Sequence, residues 1–245
     1  MIFKTIFMLL IYSIPIAFLI SGSITSPALS LCMYFISGLG IAGIGMGIMH
    51  DANHGSYTRN KRMNYLLSHT LDLMGCSSEI WKLQHNVLHH TYTNIHGHDE
   101  DIDAPVFLLR FSPFGKSYKI QRFQHYYVWF FYGVLTLFWV TVKDFRKAGE
   151  YYKTGLIPSR KAYGIRLLKL IPLKLIYFTY ALGLPMLFAP FPAYWMVLGF
   201  ILMHLVAGIL LSIVFQLAHV VPNMQFPQAD EHQQMNANWY LHQLQ

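Results

Sequence analysis

The 245-residue chain is 54% hydrophobic and only 12% charged, with a mean hydropathy of +0.36. Its charge fraction is about half that of an average soluble domain, which excludes disorder, coiled coil and collagen. The formal charge of +7 does not mark a nucleic-acid surface: apart from Lys4, every Lys and Arg lies between Arg59 and Lys174, confined between apolar runs as the positive-inside rule expects of a cytoplasmic face. Cys32 and Cys76, the only cysteines, suggest neither a disulfide framework nor a thiolate metal site.

Taken in chain order, the apolar residues collect in uninterrupted runs, the pattern that lipid selects. Residues 5–21 form the first run, which is read as a membrane helix; Lys4 and the small residues Ser21, Gly22 and Ser23 also fit a cleaved signal peptide. The second run, 29–49, carries Gly38, Gly40, Gly43, Gly45 and Gly47. Gly43 and Gly47 stand in GxxxG spacing, so this pair is expected to admit a neighbouring helix. A third stretch, 126–142, is aromatic and flanked on both sides by cations, Arg110, Lys116, Lys119 and Arg122 before it and Lys143, Arg146 and Lys147 after it. A span there would put one cluster on the wrong side, so the stretch is laid in the interface, with a re-entrant or true span as the alternative. Runs 175–189 and 193–218 complete the set, and the short links 22–28 and 190–192 make two antiparallel hairpins. The expected fold is an all-α integral membrane domain over residues 1–245, with four transmembrane helices, the interfacial helix, and a cytosolic helical cap built from the polar region between 50 and 174. Both termini then lie inside, and every candidate site falls on the cytoplasmic face.

Thirteen histidines are many for so apolar a chain, and their placement is informative. His50 and His54 follow the second run at i, i+4 spacing, which puts both on one helix face. His85 and His89 repeat that spacing, with His90 turned about 100° away on an α-helix. His219 stands at the inner end of the last run. Histidines at His69, His125, His204 and His232 are read as surface groups and not as ligands. Neutral imidazole suits Zn, Cu, Fe and Ni. Zinc proteolysis would need His-Glu-x-x-His, which neither pair contains, and the Glu-x-x-His of soluble di-iron bundles occurs nowhere in the chain. A His-rich, non-haem site at the membrane surface remains. There an acyl chain is within reach, and open-shell iron activates O₂ against unactivated carbon, which acid–base groups cannot do. Metal transport is disfavoured, because His204 is the one group inside the spans that is ionisable near physiological pH.

The run His50-Asp51-Ala52-Asn53-His54-Gly55 and the run Gln84-His85-Asn86-Val87-Leu88-His89-His90-Thr91 resemble the first and second histidine boxes of the membrane fatty acid desaturases. His98-Asp99-Glu100-Asp101 and Gln216-Leu217-Ala218-His219 resemble the front-end, delta-6-like branch, which acts on acyl-CoA or acyl-lipid. The similarity covers essentially the whole chain. It implies two iron ions held by His50, His54, His85, His89, His90 and His219, with His242 a weaker candidate. It also implies O₂ as oxidant and electrons from an external cytochrome b5 or ferredoxin; no His-Pro-Gly-Gly signature is present, so the donor is expected to be separate or encoded outside this fragment. Asp51 and Asn53 are expected to orient the first-box ligands, and the acidic run Asp99, Glu100, Asp101 and Asp103 is read by preference as a solvated loop. The cationic stretch 143–174 suits anionic headgroups, an acidic electron donor or a CoA phosphate. The family's third box is expected beyond Gln245, so the chain is read as truncated at both ends. A hydroxylase or ketolase on the same scaffold, or a catalytically incomplete fragment, are the alternatives.

Overall fold

The computed structural model describes residues 2–102, 107–220, 224–228, 230, 232 and 235, and the described residues contain helices and no strand. In chain order the α-helices are α1 (Ile2–Ile20), α2 (Pro27–Ile44), α3 (His50–Asn53), α4 (Lys61–Ser68), α5 (Thr70–Leu73), α6 (Ser78–Lys82), α7 (Gln124–Phe138), α8 (Asp144–Lys153), α9 (Arg160–Phe178), α10 (Leu184–Phe188) and α11 (Tyr194–His219). Short π-helical segments join several of them. The chain divides into two compact units, Met1–Ile80 with Phe131–Ser212, and Trp81–Phe130 with Ile213–Gln245.

Local chemistry sets the helix starts. Ser26, in extended backbone, caps α2 by accepting from Leu29 N, and Pro27 takes the first helical position where its missing N–H costs nothing. Asn60 caps α4 through Arg62 N and Met63 N. Ser159 caps α9 through Ala162 N.

In the first unit, α2 carries two small-residue faces. A Cβ on Gly40 would lie 2.6 Å from Tyr12 N of α1, and one on Gly38 would lie 2.6 Å from Met203 O of α11, so backbones touch at both positions and only glycine fits. Gly43 and Gly47, the pair that the spacing singled out, instead meet the side chains of Met8 and Lys4. The contacts also fix direction. Residues 40, 43 and 47 meet 12, 8 and 4, so α1 and α2 are antiparallel; Gly38 and Gly45 meet Met203 and Leu211, so α2 and α11 are parallel. Gly208 of α11 faces the carbonyls of Tyr132 and Gly133, and Thr136 Oγ1 donates to His204 O at 2.8 Å. Helix α7 therefore runs antiparallel to α11.

Several polar groups buried among these helices are satisfied. His204, expected at the surface, is buried in a packing role: it receives the Tyr177 hydroxyl on Nε2 at 2.8 Å and donates from Nδ1 to Thr136 Oγ1 at 3.1 Å. Lys174 Nζ donates to Asp144 at 2.9 Å, Gly75 O at 3.0 Å and Trp139 O at 3.1 Å. Asp144 also accepts from Ser77 N and Trp139 Nε1.

Five helical stretches are long and apolar enough to cross a membrane: Ile2–Ile20, Pro27–Asn53, Lys119–Lys153, Arg160–Phe188 and Tyr194–His219. Four overlap the four expected spans, with ends that differ by one residue or more. The fifth contains the aromatic stretch that was laid in the interface, and length and composition alone admit it as well.

Candidate metal centre

His50 and His54 belong to the first unit. A π-helical turn, Gly45–Met49, ends α2 and hands the chain to α3, so His50 and His54 leave the apolar run on one side, their ring centroids 4.6 Å apart. Asp51 lies 3.2 Å from His50 Nδ1. Asn53, also expected to orient this pair, is buried and donates to Met49 Sδ at 3.6 Å.

The second unit carries the denser cluster. The second box is not α-helical: Leu83–His89 is a π-helix, closed by a bond from His90 N to His85 O. This corrects the expected geometry. An i→i+5 ladder widens the turn and brings residues five apart into line, so His90 is not turned away but lies 4.8 Å from His85 between ring centroids, while His85 and His89 stack at 5.0 Å. His219, at the end of α11, reaches 4.3 Å from His89. One donor atom each from His85, His89 and His90 falls within 4.8 Å of the others, and the same holds for His89, Asp101 and His219.

Asp99 and Asp101 of the acidic run belong to this cluster and not to a solvated loop. Asp99 is 0% exposed and accepts from His89 Nδ1 at 2.8 Å. Asp101 accepts from His85 Nδ1 at 2.6 Å and from Gln84 Nε2 at 2.7 Å. The loop returns to the helix because Asn94 adopts a left-handed backbone, φ 61°, with Gly97 at φ 79°, a conformation that Asn tolerates better than other non-glycine residues. Asn94 N then binds Asp99 Oδ2 at 2.8 Å. Asp103 and His242 lie outside the described residues. Trp81, stacked on His85 with ring centroids 4.5 Å apart, and Gln84 were not singled out from sequence, since an apolar and an amide residue inside a His box carry no periodic signal.

A carboxylate on Nδ1 fixes the tautomer and leaves Nε2 as the coordinating atom, the pattern that accompanies metal-ligating histidines. The donor set thus fits a transition metal that accepts imidazole nitrogen. Electrostatics follow the same geometry. Burial would lower the His89 pKa, but the Asp99 hydrogen bond and the Asp101 and Asp99 charges outweigh it and hold it raised. Burial, with His85 and His89 alongside, pushes His90 down to about 4. Asp101 is buried, which would raise it, yet His85 and His89 hold it well below the usual carboxylate range.

An apolar helical protein with a buried histidine–carboxylate cluster is the class that fold and site define. The sequence model of the family described as Fatty acid desaturase matches residues 25–244, and this chain belongs to that family. It is 34% identical over 208 residues to the sn-1 linoleoyl-lipid 6-desaturase of Arthrospira platensis, covering 80% of this chain and 52% of that protein. To the protein of the same name from Synechocystis it is 31% identical over 232 residues, covering 93% and 63%. To the acyl-lipid (8-3)-desaturase of Physcomitrium patens it is 33% identical over 240 residues, covering 93% and 47%. The chain thus spans about half to three-fifths of the length of these relatives. No solved structure matches it.

Proposed function

We propose that this chain is a single membrane domain, 1–245, which supplies ligands for a two-iron, O₂-dependent acyl desaturase acting on a lipid-linked acyl chain. His50, His54, His85, His89, His90 and His219 are the ligands. The observation that carries the reading is the pairing of His85 and His89 with Asp101 and Asp99 in the cluster that also holds His90 and His219. Iron bound there supplies O₂ activation for removing hydrogen from an unactivated carbon. The rest is done by the chain itself. Asp99 and Asp101 hold protons on Nδ1 and direct Nε2 inward. Trp81 and Phe215, packed against His85, exclude water. Electrons come from a cytochrome b5 or ferredoxin, and the ligands face the cytoplasm beside four membrane spans. The relatives' names, which specify lipid-linked acyl groups, favour acyl-lipid over acyl-CoA as substrate.

Product analysis by mass spectrometry tests this in membranes that carry the protein, an acyl-lipid and a reductant. Loss of one hydrogen pair from the acyl chain is the expected outcome; gain of oxygen makes the protein a hydroxylase or ketolase instead. His89→Ala should abolish both iron loading and turnover, whereas His125→Ala, at an exposed position, should leave them near wild type. Normal iron content in His89→Ala overturns the ligand assignment.

A further inference from the structure

A second feature of the first unit takes no part in holding metal. An open groove of about 640 Å³ runs between α4–α5 and α9, a size within the range of sites for lipid-sized molecules. Its polar end is formed by Arg166, Lys169 and Glu79, and its apolar length by Leu173 and Ile176 of α9 with Leu66 and Leu73 opposite, over the buried Leu170 and Tyr177. Along α9 these residues, continued to Tyr180, cover roughly 20 Å of helix at about 1.5 Å per residue. The rim is apolar as well: Leu66, Leu73 and Ile176 are 62%, 60% and 64% exposed, far more than a water-facing surface tolerates in one place.

The geometry points to a binding site for one glycerophospholipid of the bilayer, its phosphate on Arg166 and Lys169 and one acyl chain along Leu173 and Ile176, between α9 and Leu66 and Leu73. Donor count favours this occupant. Lys169 Nζ donates to Glu79, and Arg166 donates from Nη1 to Ala162 O at 3.2 Å with its Nε 4.0 Å from the Glu79 carboxylate. A guanidinium carries five N–H donors and an ammonium three, so most of the donor capacity is unspent and calls for an acceptor-rich partner. Asp72, the other carboxylate of the lining, already accepts from His69 Nδ1, Ser78 N and Ser78 Oγ. The order of residues also matches a lipid. Cations Arg160, Lys161, Arg166 and Lys169 occupy the first half of α9, and the apolar half follows, its one cation, Lys174, buried against Asp144. An amphiphile lying along α9 meets headgroup donors first and hydrocarbon after.

The groove also touches the first histidine pair through its own wall. Helices α4 and α5 pack on the π-helical turn Gly45–Met49, and α4 packs on α3. Asn64 of α4 donates to Gly55 O at 2.6 Å and accepts from Thr58 N at 2.9 Å, gripping the segment after His54. A lipid in the groove steadies this wall.

Lipid binding is measured on the metal-free full chain in detergent, so its failure is separate from failure of the desaturase reading. The probes are phosphatidylglycerol, a diacylglycerol with the same chains, and inorganic phosphate, read by native mass spectrometry and by the shift in melting temperature. The expected result is one phosphatidylglycerol per chain. Leu173→Trp, which fills the groove, and the double variant Arg166→Gln with Lys169→Gln should each weaken it by at least about tenfold, the scale of lost charge-assisted hydrogen bonds. Arg166→Lys should retain it. Equal retention by the double variant overturns the proposal, even should Leu173→Trp fail to fold. So does equal stabilisation by diacylglycerol, which removes the phosphate contact, or by inorganic phosphate, which leaves an anion site without a chain.

Discussion

Asp99 and Asp101 decide which nitrogen of two imidazoles faces the rest of the cluster. As carboxylates they only accept, so Nδ1 of His89 and His85 must carry the proton. An asparagine in the same place can donate, and the opposite tautomer becomes available. Asp99→Asn should therefore weaken Co(II) or Fe(II) binding by about 10- to 100-fold, the usual cost of losing such a partner. It should also move the pH profile. His89 is held above the ordinary imidazole range, so in the wild type protons begin to compete with metal at a higher pH than they would for a free imidazole. Removing the Asp99 charge lowers that pKa, and the acid fall-off of affinity should shift to lower pH although the plateau is weaker. A plateau loss with an unmoved midpoint would make Asp99 merely structural. The clustered histidines themselves were legible in the sequence, because imidazoles four apart announce one helix face. Their carboxylates were not, since they return from 10 and 16 residues away through a turn that depends on the backbone of Asn94.

At the scale of elements, the π-helical segments explain what periodicity could not. Gly45–Met49 and Leu83–His89 each deliver histidines, and a residue inserted into the turn re-aims the side chains that follow; nothing in an apolar run marks where the insertion falls. The small-residue face of α2 shows a related gap. GxxxG spacing selects Gly43 and Gly47, but the backbones meet at Gly40, where the groups opposite are Tyr12 N and Cα and cannot rotate away. Gly40→Ala should then destabilise the chain by about 1–3 kcal/mol, the cost of overpacking. Gly47→Ala, 3.3 Å from the mobile end of Lys4, should be neutral or gain up to about 1 kcal/mol from helix propensity. Thermal unfolding of the two variants in detergent separates them, and the reverse order would mean that α1 packs on the other face.

For the whole molecule, hydropathy and charge made the helical membrane class and the two hairpins legible, and left open the path of residues 119–153. Charge bears on that path. The stretch is one continuous helical run, and its aromatic core carries Lys119 and Arg122 on one flank and Lys143, Arg146 and Lys147 on the other, none of which the positive-inside rule would send across. Single cysteines at Lys119 and Lys147, placed in a variant lacking Cys32 and Cys76, should both react with a membrane-impermeant maleimide from the cytoplasmic side of oriented vesicles. Labelling from opposite sides would make this stretch a fifth span and reverse the orientation of everything that follows it.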